Sequence, residues 1–143
     1  MTERYLICSI CSGRKWASGL FDALRDMAQG KQTLCSKCGP NAHRLELIFP
    51  LALAPTARYK VVHAFLPKKP DTWRRGKSKI QFYPFLVLLE SLNSRHRSVW
   101  LPYWHAVTND GRTRMKYGQW APLMWDQLFK SLVRQARAKG YTI

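Results

Sequence analysis

The sequence predicts an α+β protein in which a cysteine module of residues 1–45 precedes a basic α+β domain of residues 46–143. Two Cys-x2-Cys pairs lie in the first 45 residues. After them, short apolar runs of strand and helix type alternate between Pro- and Gly-containing breaks, and an amphipathic helical pattern closes the chain. The order strand, strand, helix, strand, strand, helix predicts a ββαββα-like antiparallel sheet with both helices packed on one face.

The segment between the cysteine pairs carries the first helical pattern. Four apolar residues recur on one helical face: Leu20, Phe21, Leu24 and Met27. Ser18 is a suitable N-cap, and Gly30 is a suitable end because glycine readily adopts the left-handed conformation that follows many helices. We therefore expect a helix inside the cysteine module.

The basic domain begins with a predicted hairpin. Residues 44–54 predict a strand with Pro50 at a bulge or an edge, and residues 58–66 predict its partner. Residues 67–79 combine prolines, a glycine and many charges, which predicts a loop.

The second half carries a short helix, a hairpin and a long helix. Pro84 and the apolar spacing predict a helix over residues 84–93. Residues 98–108 and 112–118 predict strands joined by a turn at residues 109–111. Pro122 sits near the start of the last helix, and Gly140 lies just past its end. The apolar face of this helix comprises Ala121, Met124, Trp125, Leu128, Phe129, Leu132, Val133 and Ala136.

The charge is strongly positive and unevenly distributed. The chain has 24 Lys and Arg against 8 Asp and Glu, a net charge of +16, and residues 46–143 hold 17 of the cations with only 5 acids. Such an excess indicates a polyanionic partner or an anionic surface. The longest apolar run, residues 82–89, is far too short to span a membrane, and the N-terminus has no signal core. We expect a cytoplasmic or nucleoid-associated protein with no membrane partner.

The four cysteines predict a structural zinc site. Cys8, Cys11, Cys35 and Cys38 form two pairs whose thiolates would supply four tetrahedral ligands and leave no position for a catalytic water. The alternatives are a redox pair or four free thiols, and His43 could replace one cysteine as a ligand. Over residues 5–45 the pattern resembles zinc ribbons and other paired-CxxC zinc fingers, although the intervening helix departs from a simple ribbon.

Two groups of cations are candidate nucleic-acid contacts. The first, in the predicted loop, surrounds a tryptophan that could stack on a base: Lys68, Lys69, Trp73, Arg74, Arg75, Lys77 and Lys79. The second alternates along a predicted strand and so projects from one sheet face: Arg112, Arg114 and Lys116. The alternatives are a solvated loop whose tryptophan folds onto the core, and a charged edge that discourages aggregation. The dense aromatics of residues 100–125 predict mainly core, with one or two available for stacking.

Catalysis is not predicted, because the acids are scattered and no clustered carboxylates suit a metal-dependent nuclease. Three functions remain open. The first is a small zinc-containing DNA- or RNA-binding protein, accessory or regulatory, for instance of a mobile-element or defence system. The second is a nuclease-like enzyme that uses His63, His105 and Asp110. The third is a protein-interaction subunit of a nucleoprotein complex.

Overall fold

A computed structural model describes residues 5–8, 19–31, 45–49, 57–92, 96–118 and 123–143. Ten strands and two helices follow one another: β1 (Tyr5–Cys8), α1 (Leu20–Ala28), β2 (Leu45–Phe49), β3 (Ala57–Phe65), β4 (Asp71–Arg75), β5 (Ser78–Pro84), β6 (Leu86–Ser91), β7 (Arg97–Trp100), β8 (Tyr103–Asn109), β9 (Arg112–Tyr117), β10 (Leu123–Trp125) and α2 (Asp126–Ala138). The α+β class is confirmed. In the part of the chain described, neither helix is long and apolar enough to cross a bilayer.

The strands form two antiparallel sheets, where the sequence predicted one. The six-stranded sheet has the order β1-β2-β3-β6-β7-β10, and the four-stranded sheet has the order β4-β5-β8-β9. The chain passes from one sheet to the other between β3 and β4, β5 and β6, β7 and β8, and β9 and β10. From β3 onward, the strands follow the same meander order in both sheets. Each consecutive pair, β3 with β4, β5 with β6, β7 with β8 and β9 with β10, contributes one strand to each sheet.

The breaks between β5 and β6 and between β7 and β8 lie side by side. There the Phe85 amide donates a hydrogen bond to the Pro102 carbonyl, with an N···O distance of 2.8 Å. Pro84 and Pro102 have no amide hydrogen, so they interrupt the ladder where the strands change sheets. The prolines therefore coincide with two of the four places where the chain changes sheets.

The core lies between α1 and the inner faces of both sheets. Ala23 and Leu24 of α1 are fully buried against the six-stranded sheet, and their buried neighbours are Val61, Ala64, Val87, Leu89 and Trp100. Phe21 packs edge-on against Tyr83 and Trp104 of the four-stranded sheet, with ring centroids 5.1 and 5.5 Å apart. The helix between the cysteine pairs is confirmed, although its N-cap is Gly19 rather than Ser18, which lies outside the described residues. Gly30 follows the helix with a φ of 75°, as predicted.

The predicted helix over residues 84–93 is wrong, because this segment is the central strand β6. Val87 and Leu89 face the core beneath α1, whereas Leu86 and Leu88 line a cavity on the other side of the sheet. A strand covered on both faces is apolar throughout, and a short run of that kind resembles a helical stripe in sequence.

The second helix, α2, covers the opposite face of the six-stranded sheet. Its Phe129 meets Phe65, Leu86 and Val99 around a cavity of about 310 Å³. The final helix is confirmed from Asp126 onward, and Gly140 follows it with a φ of 88°. Its predicted start is wrong, because Met124 and Trp125 of the predicted apolar face lie in the strand β10. The predicted pair of helices on one face is wrong: its first member, over residues 84–93, contains the strand β6, and the helices that form, α1 and α2, lie on opposite faces of the six-stranded sheet.

The predicted loop over residues 67–79 is also wrong for most of its length, since residues 71–75 and 78–84 form the β4–β5 hairpin. Its two-residue turn begins with Gly76 at a φ of 60°, a conformation that glycine adopts without steric cost. The predicted hairpin over residues 44–66 is confirmed, and so is the turn of the second hairpin, but the first strand of the second hairpin, predicted over residues 98–108, divides into β7 and β8 on different sheets. The strand pair β2–β3 lies within residues 44–66, and Asp110 and Gly111 join β8 to β9 with φ values of 50° and 72°.

The first 45 residues contribute two described elements to this fold. Strand β1 pairs with β2, which places Cys8 opposite Leu45 at the end of the strand, and α1 packs on the core.

Candidate nucleic-acid interface

The candidate site is the outer face of the four-stranded sheet, the face turned away from the core. Because side chains alternate along a strand, the buried Trp104 and Ala106 point inward, and Tyr103, His105 and Val107 point outward. None of these three outward residues is buried, and neither described helix packs against them. The outer face is thus an apolar surface with no covering layer in the described part of the molecule.

Four aromatic rings from three strands meet on this face, and His105 lies at their centre. Its ring centroid is 5.2 Å from that of Phe82, 5.7 Å from that of Tyr103 and 6.0 Å from that of Trp73. The Phe82 and His105 planes differ by only 31°, whereas Trp73 and Tyr103 stand at 84° and 82° to the His105 ring. We call Trp73, Phe82, Tyr103 and His105 the aromatic cluster.

Trp73 is the most accessible ring of the aromatic cluster. It lies on the edge strand β4, directly opposite Ile80 of β5, and it reaches diagonally over β5 to His105 on β8. Its exposed fraction is 40%, a high value for a tryptophan that already contacts another ring. Trp73 therefore neither folds onto the core nor extends freely into solvent.

A row of cations borders the aromatic cluster. Lys116 is the direct cross-strand partner of His105, Arg114 is the partner of Val107, and Arg112 is the partner of Asn109. All three cations are exposed and share the outer face, as the alternation along the predicted strand required. We call Arg112, Arg114 and Lys116 the cation row.

Among the described residues, no acid neutralises the cation row, because Arg112, Arg114 and Lys116 take part in none of the ion pairs. The opposite edge of the outer face carries Arg75 and the sole acid of its described strands, Asp71. Four cations against one carboxylate give this face a local positive charge that matches the sign of the whole chain.

The cations of the predicted loop do not share one surface. Arg74 and Lys79 are direct cross-strand partners on the inner face, and Lys77 lies in the turn. Lys68 and Lys69 lie in the link between β3 and β4. Of this group, Trp73 and Arg75 project from the outer face, and they lie on the edge strand opposite the cation row.

Sequence reasoning missed two members of the aromatic cluster, Phe82 and His105, as parts of this site. A signal existed in the alternation of Tyr103, His105 and Val107 with the inward-facing residues, which predicts two differently covered faces. Phe82 is missed because residues 80–83 lie between the predicted loop and the predicted helix, and no strand is predicted there. Among the described aromatics of residues 100–125, Tyr103 lies on the outer face, while Trp100 and Trp104 are buried in the core.

Gly118 makes room for the Tyr103 ring. A Cβ atom at Gly118 would collide with that ring, and the Gly118 amide donates a hydrogen bond to the Tyr103 carbonyl at an N···O distance of 2.8 Å. The tyrosine therefore lies directly over the glycine backbone. This close approach fixes one side of the aromatic cluster.

The residues of the nuclease alternative occupy different parts of the fold. His63 lies on the six-stranded sheet and packs edge-on against Phe65 at a centroid distance of 4.7 Å. His105 belongs to the aromatic cluster, and Asp110 lies in the β8–β9 turn. Within the described ranges, no three His, Cys, Asp or Glu side chains come together in an arrangement able to hold a metal ion. The described residues thus offer no carboxylate–histidine metal cluster for this alternative.

The predicted zinc ligands fall almost wholly outside the described residues. Cys8 ends β1, whereas Cys11, Cys35, Cys38 and the alternative ligand His43 are not among the residues described. The zinc site stays a prediction from the spacing of the cysteines.

The chain matches no protein-family model, and it shows no significant similarity to a curated protein or to a solved structure. The site's own chemistry is therefore the basis for a functional proposal.

Proposed function

We propose that this protein binds nucleic acid through the outer face of its four-stranded sheet and that it serves as an accessory or regulatory protein rather than as an enzyme. The observation that carries the proposal is the shared face of the cation row and the aromatic cluster. Phosphates supply the missing counter-charge, and aromatic rings supply contacts to the rest of the nucleotide.

The spacing within the cation row favours an extended polyanion. Side chains two residues apart on one strand lie about 6.6–6.8 Å from each other, so the three cations repel one another across a short distance. Since no described acid relieves this repulsion, an anion that touches all three gains more than an isolated anion at one of them. A sugar–phosphate backbone is a row of negative charges of this kind.

Zinc at Cys8, Cys11, Cys35 and Cys38 would have a structural role in this proposal. Four thiolates complete a tetrahedral site, so the ion would contribute folding free energy and no open position for chemistry. The positions of the described elements indicate what the zinc ion would stabilise. Cys8 ends a strand of the six-stranded sheet, and the segment between the two pairs includes α1, whose Leu24 is fully buried in the core. An ion that joined the two pairs would hold the ends of this segment together while α1 covers the sheets.

The test is a binding assay with fluorescently labelled DNA and RNA on the purified full chain. The charge-reversal variant Arg112→Glu, Arg114→Glu and Lys116→Glu should abolish binding, because it replaces three phosphate contacts with three repulsions. A matched control reverses three exposed cations near the C-terminus: Lys130 and Arg134 of α2, and Lys139, which follows the helix. The control has the same net charge as the first variant and leaves the outer face unchanged.

Equal losses in the two variants would show that binding depends on total charge and not on the outer face. Unchanged affinity in the cation-row variant would refute the proposed interface. Circular dichroism should first show that both variants keep the wild-type fold, as expected for exposed positions.

A further inference from the structure

The width of the four-stranded sheet limits how the outer face can meet a nucleic acid. Neighbouring strands lie about 4.8 Å apart, so the backbones of β4 and β9 are separated by roughly 14 Å before side chains are added. The major groove of B-form DNA is about 12 Å wide and admits a helix or a two-stranded ribbon. The outer face is therefore too broad to enter that groove, and a duplex could touch it only along the cation row.

The position of the aromatic cluster gives a second constraint. On the outer face, its rings lie on β4, β5 and β8, next to the cation row of β9. Trp73 is on β4, the edge strand farthest from β9. A duplex hides its base faces within the stack, whereas a single strand can place a base against an aromatic ring while its backbone stays beside the cations. Half-exposed rings behind a row of cations thus suit a nucleotide whose base is free.

From this arrangement we propose that the ligand of the outer face is single-stranded nucleic acid, with unpaired bases stacked on the aromatic cluster and phosphates along the cation row. This inference rests on the proposed function and adds the strandedness of the ligand and the stacking role of Trp73. The cation row sets the path of the backbone, and Trp73 receives a base from the far side of β5. Contacts to the 2′-hydroxyl of the sugar distinguish RNA from DNA, so probes of both kinds are compared in the experiment.

The arrangement around His105 orients the stacked base. Phe82 and His105 present faces that differ in direction by 31°, while Trp73 and Tyr103 stand steeply to the His105 ring. A base that lies on the first two rings would therefore have Trp73 and Tyr103 at its edges, and a base on Trp73 would have the His105 ring at its edge.

The experiment compares four probes on the wild-type protein by fluorescence anisotropy. Two are unstructured single strands of about 12 nucleotides, one of DNA and one of RNA, a length within the site sizes of single-strand-binding domains. The other two are DNA and RNA duplexes of the same length. Three variants are then measured: Trp73→Leu, which removes the stacking ring, Trp73→Phe, which keeps one, and the matched control Phe65→Leu. Phe65 is 50% exposed and also packs edge-on against a histidine, but it lies on the other sheet.

We expect single strands to bind more tightly than duplexes. Trp73→Leu should weaken single-strand binding about 5- to 150-fold, the loss that one base–aromatic stack produces, and should change duplex binding less than about twofold. Trp73→Phe should recover most of the loss, and Phe65→Leu should bind like the wild type. Trp73 is an exposed residue of an edge strand, so unchanged thermal melting is expected to accompany the lost affinity.

The outcomes separate this inference from the proposed function. Tight binding that prefers duplexes, or single-strand binding that Trp73→Leu leaves unchanged, would overturn the single-strand inference while nucleic-acid binding stands. Binding of none of the four probes would overturn both.

Discussion

Neutralising the cation row should flatten the salt dependence of single-strand binding by a predictable amount. The perturbation is the triple variant Arg112→Gln, Arg114→Gln and Lys116→Gln, which removes three positive charges and retains three polar side chains. Because the three cations share one exposed face and have no ion-pair partner among the described residues, each is free to neutralise one phosphate. The variant therefore loses up to three phosphate contacts.

The magnitude follows from the release of counterions. Each phosphate contact with a single strand contributes about 0.7 to the slope of log K against log salt, so three contacts contribute about 2.1. Between about 50 and 200 mM salt, the wild type should lose about 18-fold more affinity than the triple variant. The assay is an anisotropy titration of one single-stranded probe at several salt concentrations, and the measured quantity is the difference between the two slopes.

A control triple variant, Lys130→Gln, Arg134→Gln and Lys139→Gln, removes the same charge from α2 and the residue that follows it, and should change the slope by much less than 2. If the two triple variants flatten the slope equally, the ligand responds to net charge and not to the outer face. If the cation-row variant keeps the wild-type slope, its three residues do not contact phosphates, and the reasoning from their shared face fails.

Three further predictions concern the core, the aromatic cluster and the metal. Leu89→Ala should lower the free energy of unfolding by about 2–5 kcal/mol in a denaturant titration, because Leu89 is fully buried, whereas Leu92→Ala, on a half-exposed residue, should cost less than about 1 kcal/mol. Similar losses at the two leucines would contradict the inward direction of Leu89. Gly118→Ala should displace Tyr103 and weaken single-strand binding without altering the salt slope; an unchanged affinity would remove Tyr103 from the site. Chelation of zinc should loosen α1 and lower the melting temperature seen by circular dichroism, and metal-free protein that melts like the untreated sample would refute a structural zinc.

Local signals with a single physical meaning could be read from the sequence. Asp110 and Gly111 form the tight turn predicted for them, because two consecutive positive φ values strongly favour residues of their types. Gly30 and Gly140 end the two helices for the same conformational reason. The alternation of Arg112, Arg114 and Lys116 predicted a shared face, which the β9 register confirms.

Signals that depend on what covers an element could not be read in the same way. The apolar run of β6 is compatible with a helix until α1 and α2 are known to lie on opposite sides of it. Four cations obscure the pairing pattern of the β4–β5 hairpin in the sequence, because one of its faces is solvated and the other holds Trp73 and Phe82 without a covering layer among the described residues. Sequence patterns record the polarity of a strand, but the neighbour that accounts for that polarity is a property of the whole fold.

Packing within the described fold does not explain the apolar side chains at the centre of the outer face. An antiparallel sheet covered by helices on one side normally places polar residues on the other, and the inward residues of β8 obey the first half of this rule. The outward residues of β8 do not follow the expectation of a polar outer face, because Tyr103, His105 and Val107 join Phe82 and Trp73 in a partly exposed layer. Apolar side chains outside the core weaken solubility unless a ligand covers them. The adjacent cations have no ion-pair partner among the described residues, and for both reasons we propose an anionic ligand with flat apolar faces. Among biological polymers, a nucleic acid with unpaired bases combines a regular row of negative charges with such faces.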